Sequence, residues 1–369
     1  MLSIFCAPAR YVQGRDATAA LGSEMKKLGL EGVALVVASR TPAKLLAGAW
    51  ERSFAAAGIG HAVYRFGGEC SRAEIERGKA AAREVKATVI VGAGGGKVLD
   101  AARAIAADLD LPVVNCPTVA SSDAPCSALS VVYGEDGAFE SYLFYRRNPD
   151  LVLVDTAVIA ASPRRLLVAG MGDALATWFE AETVVTARKA NQVGGATTQS
   201  ASALARLCYE TLLRDGRAAC DALAAKAVTP ALERLVEANT LLSGLGFESG
   251  GLAVAHSVHN GLTTAPPTHA FLHGEKVAFG LVVQLVLEGK PDALLDEVLS
   301  FASDVGLPTR LDDLGLGDAS PEVIDRIAIR ATAPGETAHN EPFPVDAAVL
   351  ADALRAADAR ARAWHERRG

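Results

Sequence analysis

What the chain lacks narrows it first. No apolar run approaches the roughly 20 residues that a membrane span needs; the longest, Val277 to Leu287, already holds Gln284. Met1 to Ala9 has neither a charged start nor a long apolar core, so no secretory leader is expected. The six cysteines, Cys6, Cys70, Cys116, Cys126, Cys208 and Cys220, form no CxxC pair. Scattered in this way, with no leader expected, they read as reduced thiols of a cytoplasmic protein. Clustered positive charge is missing too. The net charge is −7, which argues against a nucleic-acid surface. The one Arg-rich stretch, Arg355 to Arg368, is interleaved with Asp and Glu and reads as a solvated terminal helix. Repeats and low-complexity linkers are absent as well.

What is present is an ordinary globular composition, 50% hydrophobic and 21% charged, in 369 residues. That length suggests two domains. The first half alternates: strands at Val33–Ala38, His61–Phe66, Thr88–Val91, Pro112–Asn115 and Leu151–Val154, with helices at Asp16–Leu28, Pro42–Ala57, Ser71–Val85 and Lys97–Asp108. Ser71 is an N-cap candidate, with Glu74 three residues on. Such alternation implies a parallel sheet covered on both faces. After Ser162-Pro163 the pattern becomes Ala- and Leu-rich helices: Arg164–Lys189, Ala196–Arg214, Pro230–Leu242, Gly250–Leu262, His273–Leu287, Asp292–Val305, Pro321–Ala331 and Val345–Glu366. The expected domains are therefore an α/β domain over 1–162 and an all-α domain over 163–369.

Three stretches carry candidate chemistry. Gly250 to Lys276 holds His256, His259, His269 and His273, four of the seven histidines. It reads either as a metal site built from two buried helices or as one core histidine with several at the surface. Gly94-Gly95-Gly96-Lys97 lies between a strand and a helix. There glycine backbone and a helix N-terminus can receive a phosphate, or simply make a tight turn. Asp100 follows one turn into that helix, as a helix-start acid or as a hold on the loop or a ligand hydroxyl. Cys116 to Tyr133 is a loop rich in Ser and Thr, suited to phosphate, ribose or polyol hydroxyls, or to Ser/Thr and Asx turns.

Taken together, Arg10-Tyr11-Val12-Gln13-Gly14, the glycine turn with Asp100, PTVASSDAPCSALSVVY (117–133), GMGDALATWFEA (170–181), GFESGGLAVAHSVHNGLT (246–263), HGEKVAFG (273–280) and Gly335-Glu336-Thr337 with His339-Asn340 resemble the glycerol dehydrogenases of the metal-dependent, iron-containing-type alcohol dehydrogenase superfamily. The resemblance spans nearly the whole chain in order. It implies a Rossmann-like N-terminal domain, a helical C-terminal domain as in dehydroquinate synthases, and an active site in the cleft between them. It further implies oxidation of glycerol to dihydroxyacetone with reduction of NAD, and metal ligands Asp173, His256 and His273. On its residues alone, Asp173 after Gly170-Met171-Gly172 reads as a helix N-cap.

Two His and one carboxylate suit catalytic zinc or iron(II). Iron-using relatives carry another His one turn after the Asp, where this chain has Thr177, so zinc is expected. For NAD the resemblance implies Ser39, Gly94, Gly95, Gly96, Lys97, Thr118, Ser121, Ser127, Leu129 and Tyr133. Asp123 is expected to grip a substrate hydroxyl, and His259 to orient a ligand, relay a proton or simply pack. His269 is given no role. Glycerol dehydrogenases usually have Asp where Ser39 stands, so Ser39-Arg40 keeps NADP open as an alternative. Dehydroquinate synthases and glycerol-1-phosphate dehydrogenases share the scaffold but bind phosphorylated substrates, and Ser121–Ser130 and Phe247–Thr263 hold no Lys or Arg. The expected partners are a small polyol and further copies of the chain, up to an octamer, with no nucleic acid and no membrane.

Overall fold

The valine-rich runs of the first half form the centre of a parallel sheet. Its strands are β1 (Tyr11–Gly14), β2 (Val33–Ala38), β3 (Gly60–Arg65), β4 (Val89–Gly94), β5 (Val113–Pro117) and, after the hairpin strands β6 (Leu129–Tyr133) and β7 (Phe139–Phe144), β8 (Leu151–Asp155). The order is β1-β8-β5-β4-β2-β3, all parallel. The computed structural model describes residues 1–134 and 139–368. The chain divides into two units. One comprises Cys6–Leu166 and Asp221–Gly244, the other Met1–Phe5, Leu167–Cys220 and Leu245–Gly369.

In the α/β unit, side chains alternate between the two faces of each strand. Ala34, Val36, Val91 and Val114 pack with Leu21, Met25, Trp50 and Phe54. Leu35, Val37 and Ile90 pack with Ile75, Ala101, Ala102 and Ile105. The sheet is thus buried on both sides, as its near-continuous apolar strands require. From β2 the chain moves outward to β3; from β4 it moves the other way to β5. The C-terminal ends of β2 and β4, paired through Ala38 and Ala93, flank this reversal. In open α/β sheets the crevice outside such a switch point is where ligands bind. Ser39 follows β2 and Gly95-Gly96-Lys97 follows β4.

Glu233, in the Pro230–Glu237 helix, ties its segment to the sheet. It accepts from Gln13 Nε2 (2.9 Å) and from the Thr156 hydroxyl (2.7 Å). Tyr11 Oη lies 2.8 Å from Thr240 Oγ1. Ser71 caps the Arg72–Glu84 helix by accepting from the Glu74 N–H at 3.2 Å, as its spacing suggested.

Two expectations need correction here, and one strand escapes the sequence pattern. Cys116–Tyr133 is not wholly a loop: after a 3-10 turn at Ala124–Cys126 it becomes β6, which pairs antiparallel with β7. Tyr11–Gly14 is an edge strand, too short to stand out by its pattern. The expected Pro42–Ala57 helix is broken at Leu46 into Arg40–Leu45 and Ala47–Ala57.

The other unit is largely helical. Its helices include Arg164–Ala187, Val254–Leu262, His273–Leu287, Asp292–Val305, Pro321–Ala331 and Ala347–Arg368. Among the described residues, none is long and apolar enough to cross a membrane. The expected Gly250–Leu262 helix begins only at Val254, because Gly250 closes the preceding helix and Gly251 turns the chain at φ +109°. Glycine lets three helix backbones touch. A Cβ on Gly274 would fall 1.8 Å from the Ala169 carbonyl oxygen, one on Gly172 2.2 Å from that of Gly274, and one on Gly280 2.3 Å from that of Ala255.

Gly274→Ala should therefore destabilise the chain by about 2 kcal/mol or more, an overpacking cost. Gly48→Ala, at an exposed helical position with only Arg52 Nη1 near its Cβ at 3.4 Å, should gain roughly 0.5–1 kcal/mol. Denaturant unfolding of both variants checks the pair; equal effects would remove the close-approach explanation.

Candidate functional site

The glycine contacts bring one carboxylate and two imidazoles together. Asp173 sits in the interior of the Arg164–Ala187 helix and is fully buried. That position rules out the N-cap reading of this residue. His256 lies in the first turn of Val254–Leu262, and His273 is the first residue of His273–Leu287. Asp173 Oδ1 is 3.0 Å from His273 Nε2 and 3.4 Å from His256 Nε2. Donor atoms of the three residues all lie within 4.8 Å of one another, so they can hold a metal ion. Ligand bonds of about 2.0–2.1 Å in a tetrahedral site separate the ligand atoms by about 3.3–3.4 Å. The two measured separations bracket that value.

Glu180, which the sequence reading passed over, completes the arrangement. It is fully buried, two helical turns beyond Asp173. Its Oε1 accepts from the backbone N–H of Ala253 (2.8 Å) and of His256 (3.1 Å), and its Oε2 lies 2.6 Å from His256 Nδ1. One carboxylate thus caps the helix and turns His256 Nε2 toward Asp173. Glu275 caps the start of the other helix, accepting from the Leu272 N–H at 2.7 Å. A helix N-terminus disfavours a cation, and a carboxylate at each start offsets that. The seven-residue spacing from Asp173 to Glu180 was the available signal, since residues two turns apart share a helix face.

Charge follows this geometry. Burial opposes the Asp173 anion, but His273 and His256 outweigh it and hold the carboxyl well below the usual range. Burial opposes protonation of His256, yet Glu180 and Asp173 raise its pKa well above the ordinary imidazole value. His259 is pushed well below that value, first by burial and then by His273, Lys276 and His256.

The C-terminal segment clamps the helix that carries His256. The Thr337 hydroxyl donates to the Ala253 carbonyl (2.7 Å), the Ala338 N–H to Ser257 Oγ (2.7 Å) and Asn340 Nδ2 to the Leu252 carbonyl (2.8 Å). His269 lies at the surface, its Nε2 2.9 Å from the Thr263 carbonyl.

In the α/β unit, Gly94 ends β4, Gly95 is the N-cap of the Gly96–Asp108 helix and Gly96 opens it. Lys97 is paired with Glu69 at 2.5 Å and lies 5.1 Å from the centroid of the Tyr133 ring. Buried Asp100 pairs with Arg103, which also donates to the Ala124 carbonyl and so holds the following loop. Thr118 donates its backbone N–H to the Gly94 carbonyl at 3.0 Å. Asp123 is buried and accepts from the Ser243 hydroxyl at 2.9 Å. Ser127 is buried, whereas Ser121, Leu129 and Tyr133 are half-buried. Ser39 begins the Arg40–Leu45 helix without a side-chain cap bond, and Arg40 is exposed.

A parallel sheet with a glycine-lined turn at its switch point, and a helical unit with a buried Asp-His-His cluster, define the build of a metal-site dehydrogenase. Comparison with known proteins agrees. Residues 8–156 match the family described as iron-containing alcohol dehydrogenase. The glycerol dehydrogenase of Thermotoga maritima is 51% identical over 358 residues, 97% of each chain. The glycolaldehyde reductase of Halobacterium salinarum is 46% identical over the full length of both. The crystal structure of glycerol dehydrogenase from Schizosaccharomyces pombe superposes with a TM-score of 0.94 at 39% identity, covering 99% of this chain and 93% of that one. The chain belongs to the iron-containing alcohol dehydrogenase family, in its glycerol dehydrogenase branch, and is an oxidoreductase.

One buried acid beside the centre should leave a pH signature. Burial, then Glu288 and Glu180, push Glu341 up to about 8 from 4.5. Between those values the folded chain holds a proton that the unfolded chain releases. Stability therefore falls as pH rises, by about 1.4 kcal/mol per pH unit in that window. Glu341→Gln should remove this contribution, so its Tm advantage over wild type should widen from pH 5 to pH 8. An advantage that stays constant over that range would contradict the shift.

Proposed function

We propose that the chain is a zinc-dependent dehydrogenase that oxidises glycerol, or a similar small vicinal diol, to dihydroxyacetone with NAD as hydride acceptor. The observation that carries this is the Asp173–His256–His273 cluster with His256 oriented by Glu180. Outer carboxylates of this kind are what metal-bound histidines use. A divalent ion held there would supply Lewis acidity toward a substrate hydroxyl, and a nicotinamide cofactor would take the hydride. Zinc is favoured because the position one turn after Asp173 is Thr177, which leaves three protein ligands and an open position. The glycerol dehydrogenase named from Thermotoga maritima supports the substrate class.

The residues divide the work. Asp173, His256 and His273 would hold the metal. Asp123 would accept a terminal hydroxyl of the polyol, its carboxylate already steadied by Ser243. Gly95, Gly96 and Lys97 would receive the cofactor pyrophosphate at the helix N-terminus. Neither glycine is demanded by internal packing: a Cβ would have only ordinary contacts, 3.4 Å to Val119 at Gly95 and 3.5 Å to Ser122 at Gly96. Space at that turn is consistent with a ligand. Thr118, Ser121, Ser127, Leu129 and Tyr133 would line the path from adenosine to nicotinamide. The same reading, as the resemblance implies it, takes the protein to be a cytoplasmic homo-oligomer, up to an octamer, and none of its six cysteines is in a disulfide.

A second reading, NADP-linked reduction of a small hydroxyaldehyde, is favoured by one observation. Ser39 stands at the end of β2 with exposed Arg40 beside it, where an acid would repel a 2′-phosphate. The glycolaldehyde reductase named from Halobacterium salinarum is in keeping with it.

Initial rates with glycerol and with glycolaldehyde, with each cofactor, before and after chelation and zinc add-back, separate the two. Glycerol oxidation with NAD that zinc restores supports the first reading. NADPH-linked reduction supports the second, and Ser39→Asp should then move the cofactor preference about 10-fold toward NAD. Asp173→Asn should strip the metal and cost more than the roughly 10–100-fold typical of losing an outer partner. Full activity in a metal-free chain would sink the metal role. Asp123→Ala should lower kcat/KM for glycerol about 10–100-fold, the worth of a hydrogen bond to a charged group, and spare a simple alcohol. Equal losses on both substrates would remove its polyol role.

A further inference from the structure

A file of polar side chains runs from His273 of the cluster to Glu336. His273 Nδ1 is 3.0 Å from His259 Nε2. His259 Nδ1 is 3.1 Å from Asn260 Oδ1, and Asn260 Nδ2 donates to Glu336 Oε2 at 2.9 Å. Glu336 Oε1 is ion-paired with Arg330 at the end of the Pro321–Ala331 helix. Asn260 and Glu336 are both half-buried.

We propose that Glu336, Asn260 and His259 are positioning residues that fix the tautomer of His273, so that its Nε2 presents a lone pair to the metal. The direction of every bond follows from one end. A carboxylate paired with a guanidinium only accepts, so Asn260 must turn its NH2 toward Glu336 and its carbonyl toward His259. A carbonyl only accepts, so His259 Nδ1 carries the proton. The other nitrogen of that neutral ring is then an acceptor, and His273 Nδ1 must donate to it. His273 Nε2, 3.0 Å from Asp173 Oδ1, is then the nitrogen that gives up its proton and offers its lone pair when a metal binds. Reversing any link would aim an N–H at the metal position instead. His256 obtains the same result in one step from Glu180, and His273 obtains it in three from Glu336. Losing an outer partner of a metal-bound histidine costs about 10–100-fold in metal affinity, which is the effect expected here.

The inference rests on the reading of Asp173, His256 and His273 as metal ligands. Its test therefore uses metal binding on the full, metal-stripped chain. Co(II) is titrated in competition with a chromophoric chelator, and the visible ligand-field band is recorded alongside thermal unfolding of the metal-free form. Asn260→Leu and His259→Phe should each weaken Co(II) binding about 10-fold or more and change the band. Glu336→Gln keeps the volume but no longer imposes a direction, and should weaken binding several-fold. The double variant His259→Phe/Glu336→Gln should bind no worse than His259→Phe, because Glu336 acts through His259. Unchanged affinity in the single variants, or additive losses in the double, would overturn the proposal. If Asn260→Leu fails to fold, Glu336→Gln and its double variant decide alone. A wild-type chain that takes up no Co(II) overturns the metal reading beneath it, whereas wild-type binding with indifferent variants overturns only the relay.

Discussion

Burying a carboxylate is the constraint on which the helical unit turns. Asp173 is fully buried, and an ionised group there is tolerable only with partners close enough to repay its desolvation. Two imidazoles supply them, each from the first turn of a helix. For that to happen three helix backbones must approach within ordinary contact distance, which Gly172, Gly274 and Gly280 permit. Removing the carboxylate would leave two histidines facing each other. Adding a methyl at Gly274 would push the helices apart. Packing and chemistry are therefore one requirement at this place, and the small residues in that part of the sequence serve both.

The same economy appears in how the imidazoles are aimed. A histidine can bind a metal through either nitrogen, and a free ring would sample both. Here His256 is committed by Glu180, which also satisfies two backbone N–H groups at the helix start. The orphan donors of a helix N-terminus must find acceptors in any case. Using a buried carboxylate for this lets one side chain cap the helix, balance the local positive potential and set a ring orientation. The C-terminal loop around Thr337 and Asn340 then holds that helix from outside through backbone acceptors at Leu252 and Ala253. A segment some eighty residues later in the chain is thereby part of the same support.

Much of this was legible in the sequence, and the failures have definite causes. The interior strands were readable because β2, β4, β5 and β8 are buried on both faces and must be apolar throughout. Edge strand β1, with four half-buried residues, gives no such signal. The β6–β7 hairpin was hidden behind a Ser- and Thr-rich turn whose composition reads as loop for all eighteen residues. Asp173 misled by its neighbours: Gly170-Met171-Gly172 looks like a helix start, but both glycines lie inside a 24-residue helix, and Gly172 is small for the sake of a neighbouring backbone. Local propensity proposed a break, and tertiary contact removed the reason for one.

Glu180 shows the complementary limit. A glutamate in an amphipathic-looking helix reads as solvent-facing, and no local feature distinguishes it from Glu182 two residues on. Glu180 is fully buried, whereas Glu182 reaches Lys290 at 2.9 Å near the surface. The difference is angular. Seven residues return to the face of Asp173, and nine do not. Once Asp173 is known to be buried beside two imidazoles, a second acid on that face must either pair with them or be expelled. The donors it meets are the N–H groups of Ala253 and His256 at the helix start and the ring of His256. A functional residue can thus be found from sequence by treating one known ligand as the origin of a helical grid and asking which polar residues fall on its face.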